Sequence, residues 1–269
     1  QGKRSLLESL GMSTFSTCLG RKPGSPAWMI WNDITREGQP GVMRVPVVGE
    51  ITWGIKLEGM SMEFVPSSDV DVKTVSEEIL GCQPSCGAVV DTGTSLLSVP
   101  TDVYRAVAQV LEKHMTAADC SDLANFPTFI ITVGGHKLRL PPSSYLGTVS
   151  GTPSENVAKR MPSLRRMTQP PAATCQLLMM DLGMEQTQFG PMVILGMPLF
   201  REYYTTFDLG TGPGHRSILF TPATDSCHPD TTSGKVSYNR NREGFQPRHV
   251  DLSMVRLPEW LENRGDITV

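Results

Sequence analysis

The sequence predicts an all-β fold with one or two short helices. Gly (25) and Pro (21) are abundant in the 269 residues, which favours many turns over long helices. Short apolar or alternating runs recur along the chain, each bounded by turn residues. One stretch, 101–114, carries apolar side chains at sustained helical spacing.

The elements follow in order. Residues 4–12 read as a short helix or turn, and 13–19 alternate apolar and polar side chains as a half-buried strand does. The turn Arg21-Lys22-Pro23-Gly24-Ser25 returns the chain into the apolar strand 27–31, making a hairpin. Residues 42–48 and 50–58 are two further strands, the second with Trp53, Ile55 and Leu57 on one face. The polar stretch 66–78 is expected to be a surface loop. Ala88-Val89-Val90 is a short apolar strand that runs into Asp91. In the helix 101–114, Val103, Val107, Val110 and Leu111 form the apolar face, Thr101 is the expected N-cap, and Asp102 favours the dipole of the first turn. Residues 129–133 and 136–140 flank Gly134-Gly135 as a tight hairpin. Residues 147–172, rich in Ser, Thr and Pro and carrying Lys159, Arg160, Arg165 and Arg166, are expected to be an exposed, mobile, basic surface insertion. Strands follow at 192–195, ending in Gly196, at 203–208 and at 217–220. From 228 to 269 the composition turns polar, and the expectation is a poorly ordered C-terminal extension after a domain spanning 1–227.

Composition narrows the function. Hydrophobic residues at 39% are enough for a core, and a formal net charge of −3 argues against nucleic acid as a partner. No apolar run is long enough for a membrane helix. The chain lacks an initiator Met and begins without an apolar leader, so it is expected to start inside a longer polypeptide. Six cysteines (Cys18, Cys82, Cys86, Cys120, Cys175, Cys227) permit three disulfides, which would imply an oxidising compartment, or they are free buried thiols. No paired CxxC spacing points to zinc.

The segment that carries chemistry is Cys86-Gly87-Ala88-Val89-Val90-Asp91-Thr92-Gly93-Thr94-Ser95. A buried strand delivers a carboxylate into a tight loop. Gly93 lets the backbone turn beside it, and Thr92 and Thr94 supply hydroxyls that can brace it. A carboxyl held without a countercharge suits sharing a proton with a second carboxyl, because two close like charges cannot both ionise. A lone Asp-Thr-Gly is also common in ordinary surface turns. Here it is continued by Ser95-Leu96-Leu97 and followed later by Val193-Ile194-Leu195-Gly196 and by Phe200-Arg201-Glu202-Tyr203-Tyr204-Thr205-Thr206-Phe207-Asp208.

Taken together, CGAVVDTGTSLLSVP, VILGMPLFREYYTTFD, ITWGIKLEGMSM and DCSDLANFPTFIITVGGHKLRLPPSSYL resemble, in order, segments of the pepsin-like (acid protease) family, and they match its C-terminal lobe. The resemblance implies an aspartic endopeptidase in which Asp91 is one of two catalytic aspartates. Thr92, Gly93 and Thr94 form the active-site loop, and Val89, Ser95 and Ile194 face substrate. It implies disulfides Cys82–Cys86 and Cys120–Cys175. Cys18 and Cys227 have no family counterpart, and mutual pairing, free thiols and bonds to missing chain all stay open. The implied partners are a polypeptide substrate and a missing N-terminal lobe, with no metal or cofactor. The implied location is the secretory pathway, the extracellular space or an acidic vacuole-like or lysosome-like compartment. The departures are a single Asp-Thr-Gly loop, no flap tyrosine, Trp31-Asn32-Asp33 in place of Gly-Gly-x-Asp, and Met197 where the family has Asp. Two rival readings remain. A non-catalytic pepsin-like binding protein would usually have lost part of the loop, which is intact here. A self-associating half-protease would need a flap-like segment, and none is evident.

Overall fold

A computed structural model describes residues 6–22, 24–64, 75–114, 120, 123, 126–162, 175–212, 214–224, 227 and 247–262. The chain opens with a single helical turn, α1 (Leu6–Ser9), then β1 (Thr14–Leu19), β2 (Ala27–Trp31) and β3 (Met43–Pro46). Strands β4 (Gly54–Phe64), β5 (Ser76–Gly81), β6 (Cys86–Val90) and β7 (Leu97–Val99) lead to helix α2 (Thr101–His114). Next come β8 (Thr128–Val133), β9 (His136–Leu140), β10 (Leu146–Ser150) and helix α3 (Glu155–Arg160). They are followed by β11 (Gln176–Leu177), β12 (Met179–Asp181), β13 (Gln186–Thr187) and β14 (Gly190–Leu195). Helix α4 (Met197–Glu202), β15 (Tyr203–Asp208), β16 (Ser217–Pro222), β17 (Arg248–Asp251) and α5 (Glu259–Glu262) complete the order. The fold is all-β with a few short helices, and α2 is its one helix of several turns among the described residues. Two compact units divide it: residues up to 55 with 199–239, and residues 56–198 with those from 240 onward.

In the first unit a five-stranded antiparallel sheet runs β2-β1-β15-β16-β3. The alternation of β1 sends Phe15 to one face, where it stacks on Phe207 at 4.6 Å with the Trp53 ring edge-on to both. Ser16 faces the other way, into a polar buried cluster with Thr206, Asp33 and Tyr204. A Cys18–Cys227 disulfide, with a Cα separation of 5.7 Å, is buried with Tyr204 and Ala223.

The second unit holds a nine-stranded sheet with the path β12-β7-β14-β6-β4-β8-β9, with β13 added on β14 and β5 on β4. A smaller sheet, β11-β10-β17, accompanies it. In β4, Ile55 and Leu57 are buried while Lys56 and Glu58 are exposed. Beyond the register shift at Leu57–Gly59 the strand is buried on both faces through Met62. Disulfides Cys82–Cys86 and Cys120–Cys175 each have a Cα separation of 4.9 Å, ordinary for the bond.

The fold departs from the sequence expectations in four places. The expected loop 66–78 is a strand, β5, from Ser76 on, because its backbone pairs with β4; residues 66–74 lie outside the described residues. Thr101 is the first helical residue of α2, and its hydroxyl donates to Asp181 Oδ1 (2.6 Å) instead of capping the helix. The expected mobile insertion begins as ordered structure: β10 pairs with β11 and β17, and α3 is capped by Ser154 and buries Val157. Lys159 and Arg160 sit in the last turn of α3, while Arg165 and Arg166 lie outside the described residues. Residues 247–262 of the expected disordered extension form β17, a 3-10 turn and α5, held by buried Leu252, Val255, Leu257 and Leu261; 228–246 and 263–269 lie outside the described residues.

Candidate active site

Strand β6 runs parallel to β14, with Val89 opposite Ile194 and Val90 opposite Leu195. The ladder continues one residue past β6, where the Asp91 N–H donates to the Leu195 carbonyl at 3.0 Å. The chain then folds back on the carboxylate it has just delivered. The Gly93 N–H donates to Asp91 Oδ1 (2.9 Å) and Thr94 Oγ1 donates to Oδ2 (2.6 Å). Both donors are neutral, and among the described residues no cation pairs with Asp91. Each carboxylate oxygen accepts one such bond and keeps lone-pair capacity for a water or a second acid.

The loop is locked from beneath. Thr94 is fully buried, and its carbonyl accepts from the Met197 N–H at 2.9 Å. Gly196 lies so close that a Cβ there would stand 2.4 Å from the Thr94 carbonyl oxygen and 2.3 Å from that of Leu96. The Val193–Gly196 segment therefore interlocks with 91–96, and glycine is the residue that permits the approach. Thr92 and Gly93 are exposed, and Asp91 is half-buried at the rim. The arrangement presents one fixed, hydrogen-bonded carboxylate to solvent, able to bind a water or to share a proton with a carboxyl brought opposite it.

Val89 is half-buried on the same strand. Ile194, expected on a substrate wall, is 0% exposed and belongs to an apolar cluster with Leu96, Leu178, Leu182 and the C-terminal Leu252, Val255, Leu257 and Leu261. Apolar residues from the C-terminal stretch share this cluster, and Ile194 presents no surface here. Ser95 is also engaged. Its N–H donates to the Arg256 carbonyl (3.1 Å) and its Oγ accepts from the Arg256 N–H (2.8 Å). Sequence reading missed Arg256, whose only signal was the spacing of Leu252, Val255, Leu257 and Leu261 in an otherwise polar stretch. Among the described residues no cluster of His, Cys, Asp and Glu could hold a metal, and no helix is long and apolar enough to cross a membrane.

Residues 15–213 match the family described as eukaryotic aspartyl protease. The chain is 30% identical to pepsin A of Rhinolophus ferrumequinum over 156 residues, covering 56% of this chain and 34% of that protein. It is 27% identical to pepsin A of Bos taurus over 202 residues (73% of this chain, 45% of that one). It is also 27% identical to gastricsin of Cavia porcellus over 213 residues (75% and 44%). The chain thus spans less than half the length of these curated relatives.

Proposed function

The chain belongs to the eukaryotic aspartyl protease family, and from that premise we propose that it is the second catalytic lobe of an aspartic endopeptidase. Residues 1–227 form the lobe and Asp91 supplies one aspartate of the dyad. The observation that carries this is the Asp91 carboxylate, braced by the Gly93 N–H and the Thr94 hydroxyl and free of a cationic partner among the described residues. With a second aspartate opposite, a water between the two carboxyls is activated by the ionised one, while the protonated one donates to the peptide carbonyl oxygen. Both steps need only carboxyl groups. The second aspartate belongs to an N-terminal lobe, the partner this reading requires. Thr92 and Gly93 shape the loop, Val89 and Ser95 face substrate, and Ile194 joins them when the C-terminal stretch that shares its cluster is displaced. Three disulfides fit an oxidising setting, in the secretory pathway, outside the cell or in an acidic vacuole. A non-catalytic pepsin-like binding protein is the rival, and the intact Asp91–Ser95 loop weighs against it.

The test is hydrolysis of a denatured protein at acidic pH. The isolated monomeric chain is expected to show none. Activity is expected only with a polypeptide that supplies a second Asp-Thr/Ser-Gly loop, and Asp91→Asn is expected to lower it by roughly 100-fold or more. Turnover by the isolated monomer, lost on Asp91→Asn, would overturn the need for a second lobe. Turnover of the two-lobe form unaffected by Asp91→Asn would overturn the role of Asp91.

A further inference from the structure

The C-terminal residues 247–262 behave as a strap laid over one face of the second unit. Strand β17 pairs in parallel with β10, from Gly147–Arg248 to Ser150–Asp251. At the turn that follows, Asp251 Oδ1 accepts from the Ser253 N–H (3.0 Å) and hydroxyl (2.7 Å). The chain then leaves extended at Val255 (φ −66°, ψ 132°). From there two kinds of contact alternate. Val255, Leu257 and Leu261 enter the apolar cluster that contains Leu96 and Ile194. Arg256, between the first two, turns its backbone to Ser95, giving its carbonyl to the Ser95 N–H and its N–H to the Ser95 Oγ. The Arg256 side chain is exposed and reaches the Ser253 carbonyl at 3.3 Å.

This is how a site reads an extended polypeptide. One donor and one acceptor of a fixed residue meet the acceptor and donor of one peptide unit, while apolar side chains on either side fill a hydrophobic surface. The contact does not depend on what side chain residue 256 carries. Of the residues read as substrate-facing, Ser95 is hydrogen-bonded by this segment, and Ile194 shares one buried apolar cluster with it. Thr92 and Gly93 remain exposed.

We propose that the face formed by Ser95, Leu96 and Ile194 is a binding site for an extended, apolar polypeptide, and that the strap 247–262 occupies it in cis. A polypeptide must then displace the strap to lie beside Asp91. The proposal rests on the reading of Ser95 and Ile194 as substrate-facing. Because the strap belongs to the same chain, it competes intramolecularly, so modest strap affinity suffices to exclude a free peptide.

The probe is an apolar hexapeptide carrying a statine residue, titrated calorimetrically into the full chain. Hydrogen exchange of the strap amides is followed in parallel. In the unmodified chain, saturating peptide is expected to speed exchange at Val255–Leu257 at least about tenfold. The double substitution Val255→Asp with Leu257→Asp is expected to tighten peptide binding at least about tenfold. Arg256→Pro deletes the backbone donor to Ser95 Oγ together with the side chain that Arg256→Ala also removes, and it reads the same competition if the double variant does not fold; about threefold tighter binding is expected. Arg256→Ala keeps both backbone bonds and is expected to leave affinity unchanged. Peptide bound with strap exchange unaltered, or affinity equal in the released and unmodified chains, overturns the strap as occupant while leaving the substrate-facing reading intact. An Arg256→Ala effect as large as that of Arg256→Pro overturns recognition through the backbone. Absence of peptide binding to every form, strap released, overturns the substrate-facing reading itself and the occupancy with it.

Discussion

Strand β2 reads AWMIW, yet Trp28, Met29, Ile30 and Trp31 are 39–51% exposed, whereas the strap, from the polar end of the chain, holds Leu252, Val255, Leu257 and Leu261 at 1–4% exposure. Both segments pair through their backbones, but their side chains fare differently. β2 is a sheet edge, fastened by its backbone to β1 and, at its end, by polar groups. Asn32, in the left-handed region at φ 52°, donates its N–H to the Thr14 carbonyl (2.8 Å), and its Oδ1 accepts from the Ser13 N–H (2.9 Å). Asp33 then accepts from Ser16, from the Thr35 N–H and hydroxyl, and from the Tyr204 hydroxyl. The apolar segment leaves most of its side chains exposed and ends in a polar anchor, while the polar segment buries its few apolar side chains. The comparison teaches that composition states what a segment could bury, while the surface available to it decides what it does bury.

Three substitutions sharpen or break that comparison. The largest effect is expected for Leu257→Ala in the strap, which removes a side chain packed in a formed cluster and should cost about 2–4 kcal/mol of opening free energy. Hydrogen exchange at the strap amides reads it, and a cost below about 1 kcal/mol would mean that the strap is not held by its apolar side chains.

Next comes Asp33→Asn, where β2 joins the polar cluster. Asp33 is only 5% exposed. Burial pushes its carboxyl up, but the hydroxyls of Ser16, Thr35 and Tyr204 and the Thr35 amide together hold it below the ordinary aspartate value. The partner pays in the other direction: burial first, then its hydrogen bond to Asp33, pushes the Tyr204 phenol up to about 12. A group with a lowered folded value adds stability that is fully present above its unfolded value, about 3.9, and is lost as pH falls through the folded value. Asp33→Asn should therefore destabilise at neutral pH by about 1–3 kcal/mol and flatten the stability curve below about pH 4. Denaturant titrations at several pH values check it, and an unchanged acid limb would remove Asp33 as the anchor.

The smallest effect is expected for Met29→Ala in β2. Its side chain is about half exposed, so the opening free energy of the β2 amides should change by less than about 1 kcal/mol. A loss equal to that of Leu257→Ala would abolish the contrast.

What the sequence by itself determined is what lies within a few residues. The β character, the helix 101–114 and the hairpin 129–140 follow from periodicity and turn chemistry, which act over short spans. The candidate loop is equally local, because Asp91 takes its two donors from residues two and three positions on. Family membership was legible for a related reason, as it rests on several collinear motifs spread along the chain. The rest belongs to the tertiary structure. Ser95 and Arg256 are 161 positions apart, and Thr94 is locked by Gly196 and Met197 from another strand's end. The same distance explains the misread segments. Val157, Met161, Leu252, Val255, Leu257 and Leu261 are sparse apolar residues in polar stretches, too few to bury one another. Only when the fold collects them around Leu96 and Ile194 does their burial outweigh the entropy of ordering the strap. Ile194 shows the limit most directly: its strand is legible in the local sequence, but its pairing with Val89 and its place in a cluster with residues from the far end of the chain are set only by the tertiary structure.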